Sequence, residues 1–158
     1  MNIKQLLKTY PRKRGKLPKE YQRIYDKHYK ENRDGATKVS GMSRKMEYWM
    51  HRKVAKSSSP GKKTLELGAG TLNQLDFERT NIYDVVEPYQ QLLKDSPNRT
   101  YVRKIYADIS DVKNEEYDRI ISVACLEHVE NLPEMIRKSV VLLKPGGKMC
   151  IAIPNEGR

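Results

Sequence analysis

Five short apolar runs, separated by polar or helix-patterned stretches, constrain the fold more than any other feature of the sequence. Each run is rich in β-branched or other apolar residues, which favours a strand. The runs are residues 64–67, 82–87, 101–106, 117–124 and 148–153. The helical segments between them are residues 71–77, 89–96 and 133–143. Strands alternating with helices at this spacing predict a parallel sheet covered on both faces, the doubly wound α/β architecture.

The charge of the chain is concentrated ahead of these runs. Residues 1–63 hold 19 Lys and Arg against 5 Asp and Glu, a net charge of +14, whereas residues 64–158 carry −3. The first 17 residues are basic with little apolar periodicity, which predicts an extended or disordered arm. Two amphipathic helices should follow, one over residues 18–32 and a second capped by Ser43. We therefore divide the chain into a basic arm with a helical cap, residues 1–60, and a core, residues 61–158.

Several classes of protein are disfavoured by composition. No run approaches the roughly 18 apolar residues of a membrane span, and the N-terminus lacks an apolar segment with a small-residue cleavage site. We expect a cytoplasmic protein with no membrane partner. Cys125 and Cys150 both fall in strand-like segments, which predicts buried free thiols rather than a disulfide or a metal pair.

The residues after the first two strands point to a nucleotide-like ligand, because ligands bind at the carboxyl ends of such strands. The first strand runs into Glu66, Gly68, Ala69 and Gly70, and the glycines allow the backbone to turn tightly against a ligand. The second strand ends in Glu87, 17 residues after Gly70. An acid at this distance can accept hydrogen bonds from both ribose hydroxyls.

The third strand ends in Asp108 and Ile109, where the acid can accept from an adenine amino group and the next amide can donate to the ring. Simpler roles remain open: a tight turn for the glycines, a helix-start acid for Glu87 and a turn cap for Asp108. A nicotinamide-dinucleotide fold would need a third glycine three residues after Gly70, and Asn73 stands there. This position argues against NAD.

Together these residues resemble the class I S-adenosylmethionine-dependent methyltransferases over roughly residues 62–156. Glu66, Gly68, Ala69 and Gly70 correspond to the first motif of that family, Glu87 to its ribose-binding acid, and Asp108 with Ile109 to its adenine-binding pair. Residues 117–124, ending in Ala124, resemble its fourth strand, and residues 143–147 its turn into strand five. The resemblance implies a Rossmann-like core with S-adenosylmethionine as cofactor, held by these residues. The chain departs from the fullest motif at Leu72, where the family often has another glycine.

Methyl transfer asks little of the protein, since the sulfonium already activates the methyl group. The protein must align the acceptor, exclude water and, for a hydroxyl acceptor, remove a proton. Glu127 and His128 follow the fourth strand, and His128 is the preferred base because its ordinary pKa of about 6.5 suits proton abstraction near neutrality. The alternative role for His128 is to fix the start of a helix. A Leu-Glu-His triplet resembles part of a metal site in some methyltransferases, but Ala124 replaces a further glutamate there, so we expect no metal.

Residues 45–51, 67–73 and 153–157 also resemble bacterial methyltransferases encoded among surface-polysaccharide (O-antigen) genes. This resemblance implies O-methylation of a sugar or related metabolite, and the basic region could attract an anionic acceptor. The alternatives are an RNA methyltransferase that uses the basic region, although no known RNA-binding signature is present, and a cofactor-binding fragment without efficient turnover.

The chain end bears on that last alternative. The resembled enzymes continue past strand five into a helix and an antiparallel strand pair, whereas this chain stops at Arg158. Strand five should then lie at an edge without charge or proline to discourage pairing, which predicts a homodimer or an aggregation-prone product. The acceptor pocket should lack one wall.

Overall fold

The structure is a computed structural model, and it describes residues 2–13, 38–79 and 82–154. The five strands form one parallel sheet in the order β3-β2-β1-β4-β5. They are β1 (Lys63–Leu67), β2 (Ile82–Val86), β3 (Lys104–Tyr106), β4 (Tyr117–Val123) and β5 (Leu143–Ala152). The order reverses between β1 and β4, which is where doubly wound folds bind ligands. The predicted fold class is confirmed.

Four α-helices lie within the described residues. They are α1 (Ile3–Leu7), α2 (Lys38–Ala55), α3 (Gln91–Lys94) and α4 (Leu132–Leu142). The helix predicted over residues 18–32 falls outside the described residues. Helix α2 begins before Ser43, so the prediction that Ser43 caps it is wrong. The prediction of an extended or disordered arm is wrong for residues 3–7, which form α1, with the Asn2 side chain accepting from the amide of Lys4 at 3.0 Å.

The helix predicted over residues 89–96 is shorter in the structure, Gln91–Lys94. Three other predicted segments also differ clearly. Residues 71–77 contain only a 3-10 turn, Asn73–Asp76, because Leu72 ahead of it has a left-handed backbone that no α-helix accepts. Strand β3 begins at Lys104 because a 3-10 turn occupies Arg99–Tyr101. Strand β5 begins at Leu143, and its register against β4 shifts between Tyr117 and Arg119.

The sheet separates two apolar cores because successive strand residues face opposite sides. Val85 and Ile121 pack with Met50 and Val54 of α2 on one side, which we call the α2 face. Leu65, Leu67 and Ile120 pack with Leu142 of α4 on the other. Strands β1 and β2 are buried over four consecutive residues, as expected for a sheet covered on both faces. No helix in the described part of the chain is long and apolar enough to cross a membrane.

Candidate active site

The turn after β1, residues 68–72, is the glycine turn, and two independent constraints require glycine at its start. Gly68 has a φ of +71°, and its amide donates to the Val86 carbonyl at 2.8 Å. A Cβ at Gly68 would overlap the Cys125 sulfur and lie 2.7 Å from the Cys125 Cβ. Gly70 also has a positive φ, +52°. The backbone therefore comes close to the ends of both β2 and β4, which no larger residue at 68 would permit.

Leu72 has the backbone conformation of a glycine although it carries a large side chain. Its φ is +66° and its side chain is fully buried. The fullest form of the resembled motif has a glycine at this position. For an L-residue the left-handed conformation costs roughly 1–2 kcal/mol, and burial of a leucine side chain offsets this by about 1.5–3 kcal/mol. The turn thus keeps its shape without the third glycine.

Glu87 fastens the glycine turn to the end of β2. It is buried, and its Oε2 accepts from the amide of Gly70 at 2.8 Å while Oε1 accepts from the amide of Tyr89 at 2.9 Å. A carboxylate oxygen has two lone-pair positions, so each oxygen keeps the capacity for one more donor. The carboxylate is therefore oriented by backbone amides beside the turn, and its contact with a cofactor stays a prediction.

Asp108 forms the turn cap that the sequence left open as its simpler role. Its carboxylate accepts from the amide of Ser110 at 2.8 Å and from the Ser110 hydroxyl at 2.5 Å. The hydrogen bonds from Ser110 lower the pKa of Asp108. Asp108 itself is exposed, whereas Ile109 is buried in the core on the α4 side. Contact of this pair with an adenine ring stays a prediction.

Glu66 lies on the α2 face of the sheet, behind the glycine turn. Its side chain is buried and accepts from the Tyr83 hydroxyl at 2.9 Å. Burial raises its pKa to about 8, with the nearby Glu78 adding to the shift. Ala69 is also buried. The contact of Glu66 with a cofactor stays a prediction.

The loop after β4, residues 124–131, holds the predicted catalytic residues and is called the β4 loop. Ala124 has a φ of +49°, and its amide donates to the Ala152 carbonyl at 2.8 Å. Cys125 packs on Gly68, and burial raises the pKa of its thiol to about 11. Leu126–His128 form a 3-10 turn in which Glu127 is half-buried and His128 is exposed. The amide of His128 donates to the Cys125 carbonyl at 2.8 Å, so its backbone is fixed while its ring faces solvent.

Sequence reasoning missed Arg12, which joins the N-terminal arm to the β4 loop. Its amide donates to the Glu130 carbonyl at 2.8 Å, and its Nη1 donates to the Glu127 carbonyl at 3.3 Å. Its Nη2 donates to the Tyr10 hydroxyl at 2.8 Å. No signal in the sequence distinguishes Arg12 from the other basic residues of the arm.

His51, which the sequence predicts on a helix face, is buried between α2 and the glycine turn. Both cysteines are free, as the sequence predicts, but they are half-buried rather than buried. Within residues 2–13, 38–79 and 82–154, no cluster of three or more His, Cys, Asp and Glu side chains is arranged to hold a metal ion.

Comparison with known protein families gives a match over residues 39–158 to a methyltransferase domain. The chain belongs to this family. The match spans the glycine turn, Glu87 and the β4 loop, whereas Arg12 lies outside it. No curated protein matches the chain significantly in sequence.

Solved structures of S-adenosylmethionine-dependent methyltransferases share the fold. One from Thermotoga maritima, described as a possible histamine N-methyltransferase, has 19% identity and a TM-score of 0.54 over 66% of this chain and 50% of its own. One from Clostridium acetobutylicum has 18% identity and a TM-score of 0.55 over 67% and 50%. Coclaurine N-methyltransferase, solved with N-methylheliamine and S-adenosylhomocysteine (SAH), has 22% identity and a TM-score of 0.52 over 65% and 34%. The chain thus spans half or less of the length of these proteins. The expected cofactor, S-adenosylmethionine, agrees with these relatives.

Proposed function

We propose that this domain binds S-adenosylmethionine at the carboxyl ends of β1, β2 and β3 and transfers its methyl group to a hydroxyl of a small molecule, a sugar or related metabolite. The observation that carries the proposal is the position of Glu87. Its carboxylate is held by two backbone amides beside the glycine turn, and each oxygen has one lone pair left for a ribose hydroxyl.

The remaining cofactor contacts follow from the ends of the strands. Gly68, Ala69 and Gly70 bring only backbone and one methyl group toward the ligand, which leaves space for it above β1. Asp108 and Ile109, at the end of β3, are assigned to the adenine ring. Glu66, in β1, and Ala124, at the start of the β4 loop, are assigned to the cofactor site as well.

The chemical step is an in-line displacement at the methyl carbon. The acceptor oxygen forms a bond to that carbon while the carbon–sulfur bond breaks, and the bonding pair returns to sulfur. His128 takes the proton of the acceptor hydroxyl, and Glu127 lies next to it on the same 3-10 turn. The exposure of His128 supports this role, since an acceptor must reach the base from solvent. The choice of a sugar hydroxyl rests on the resemblance to O-antigen methyltransferases.

A nucleic-acid acceptor is a second candidate because of Arg12. Its contacts with Glu127 and Glu130 bring the arm to the β4 loop, and Lys4, Lys8 and Lys13 on that arm are exposed. A polyanion following these residues would arrive at His128. Such binding should weaken steeply with salt, because each phosphate contact releases counterions.

A methyl-transfer screen tests the two candidates together. Radiolabelled S-adenosylmethionine is incubated with the chain and with sugars, nucleotide-linked sugars or RNA, each at low and high salt. Label on a sugar hydroxyl supports the first function, and salt-sensitive label on RNA supports the second. Cofactor binding without label on any acceptor would indicate a cofactor-binding fragment instead.

A further inference from the structure

Helix α2 is tied to the 3-10 turn that follows the glycine turn by a set of hydrogen bonds that includes a buried histidine. The Nδ1 of His51 lies 2.8 Å from the Oε1 of Gln74, and the Nε2 of Gln74 donates to the His51 carbonyl at 3.3 Å. The Nδ2 of Asn73 donates to the Glu47 Oε1 at 3.2 Å. Residues 47 and 51 stand one helical turn apart, and residues 73 and 74 begin the 3-10 turn directly after Leu72. The same four residues therefore join the helix to the turn.

The orientation of Gln74 fixes the protonation of His51. Because the Nε2 of Gln74 donates to a carbonyl, its Oε1 is the atom that faces His51, and an oxygen there can only accept. The His51 Nδ1 must therefore carry a proton. The other ring nitrogen, Nε2, lies 3.6 Å from the Glu47 Oε1, which is also only an acceptor when ionised. A proton on both nitrogens satisfies both partners, so the arrangement fits an imidazolium.

The surroundings of His51 favour this positive charge. Burial alone would lower the pKa of His51, but the contacts with Glu47 and Gln74 and the charge of Glu66 raise it overall. The neighbouring charged and titratable groups on the α2 face are Glu66 of β1, Tyr83 of β2, Arg119 of β4, and Glu78 after the 3-10 turn. Glu78 and Arg119 pair with each other, so Glu47 is the opposite charge beside the His51 ring at pH 6. Glu66 adds its charge only above its own raised pKa of about 8.

We propose that protonated His51 is a positioning residue, which clamps helix α2 onto the 3-10 turn and thereby holds the glycine turn in the shape that receives the cofactor. The inference rests on the proposed function only for the identity of the ligand. Leu72 lies next to the clamp, and its left-handed backbone is unfavourable by itself. Its carbonyl accepts from the Asn98 Nδ2 at 3.2 Å, so the clamp adds to this hydrogen bond and to the burial of the side chain in holding the turn. When His51 loses a proton, one of its ring nitrogens stops donating and its lone pair then faces an oxygen of Glu47 or Gln74.

The test combines two readouts on the wild-type chain, on His51→Gln and on the matched control Arg52→Gln. Arg52 also loses a positive charge from α2, but it is exposed. Nitrogen NMR of the imidazoles reports the protonation of His51, and the signal is assigned by its absence in His51→Gln, since the chain has three histidines. Amide hydrogen exchange at Leu72 and Leu75 reports the shape of the turn without any cofactor. Calorimetry with SAH then reports cofactor affinity at pH 6 and pH 9.

We expect His51 to titrate above the ordinary value of about 6.5, and Glu47→Gln to lower that midpoint. His51→Gln should lower exchange protection at Leu72 and weaken SAH binding at pH 6 by about tenfold, the usual effect of one hydrogen bond from a charged group, while Arg52→Gln changes neither. A neutral His51 at pH 6, or unchanged protection at Leu72 in a folded His51→Gln, overturns the clamp. Failure of the wild-type chain to bind SAH overturns the proposed function instead, and the exchange data still decide the clamp.

Discussion

The regions proposed as the cofactor half and the acceptor half of the site are built in different ways. At the ends of β1 and β2, the amide of Gly68 donates to the Val86 carbonyl and the amide of Gly70 donates to the Glu87 carboxylate, and both glycines have positive φ angles. At the end of β4, His128 is exposed, and the β4 loop is contacted by Arg12 from the other end of the chain. A cofactor common to a family can be held by backbone geometry, whereas an acceptor must be recognised by side chains that differ between members. Sequence motifs can therefore predict the cofactor half, but they cannot predict how the acceptor is recognised.

The largest effect is expected for Gly68→Ala, which changes the first residue of the glycine turn. The left-handed φ costs roughly 1–2 kcal/mol and overpacking against Cys125 another 1–3 kcal/mol, so the free energy of unfolding should fall by about 2–5 kcal/mol. Chemical denaturation measures this. Gly61→Ala is the control, since Gly61 has a φ of +74° but nothing within 4 Å of the position that a Cβ would take. Equal losses in the two variants would show that the contact with Cys125 is unimportant.

His128→Ala removes the proposed general base from the β4 loop. Removal of a general base should lower the rate of methyl transfer by about a hundredfold while leaving cofactor affinity nearly unchanged. Initial rates and calorimetry on the same preparation separate the two quantities. If cofactor binding weakened in parallel with the rate, His128 would belong to the structure of the site rather than to its chemistry.

Glu87→Ala should lower the affinity for S-adenosylmethionine, which tests the proposed cofactor half by binding. Loss of two charge-assisted hydrogen bonds to ribose should weaken S-adenosylmethionine binding by about tenfold or more. Glu116→Ala removes an exposed carboxylate at the opposite end of the sheet and should have no effect. Because Glu87 also holds Gly70, thermal unfolding of the variant must be followed alongside; unchanged affinity in a folded variant would remove Glu87 from the cofactor site.

The last expected effect is a gradual one and concerns pH and the α2 face. Glu66 has a pKa raised to about 8 in the folded protein, so between pH 4.5 and 8 the folded state binds more protons than the unfolded state. Stability should therefore fall as pH rises through this range, with a slope approaching about 1.4 kcal/mol per pH unit for one proton. The raised pKa of His51 acts in the same direction, since its contribution is present below its ordinary pKa and lost above its folded pKa. Glu66→Gln should flatten the slope, and an unaltered slope would assign it to other groups.

The sequence predicted the strands, which follow a repeating pattern, and the turn that requires glycine. The five strands and their parallel order follow from alternating apolar runs, and Gly68 and Gly70 mark the turn because only glycine fits there. It could not predict that Leu72 keeps a glycine-like backbone, since that depends on a buried pocket for its side chain. The contacts of Arg12 and His51 were equally out of reach, because their partners lie far along the chain or on another element.

Calorimetric titration of the wild-type chain with S-adenosylmethionine and, separately, with NAD tests the central claim most directly. Both ligands carry an adenosine that Glu87 could hold, but the turn at Asn73 lacks the third glycine of a dinucleotide site. We predict saturable binding of S-adenosylmethionine at one site per chain and no binding of NAD at the same concentrations. Binding of NAD without binding of S-adenosylmethionine would contradict the assignment of this site.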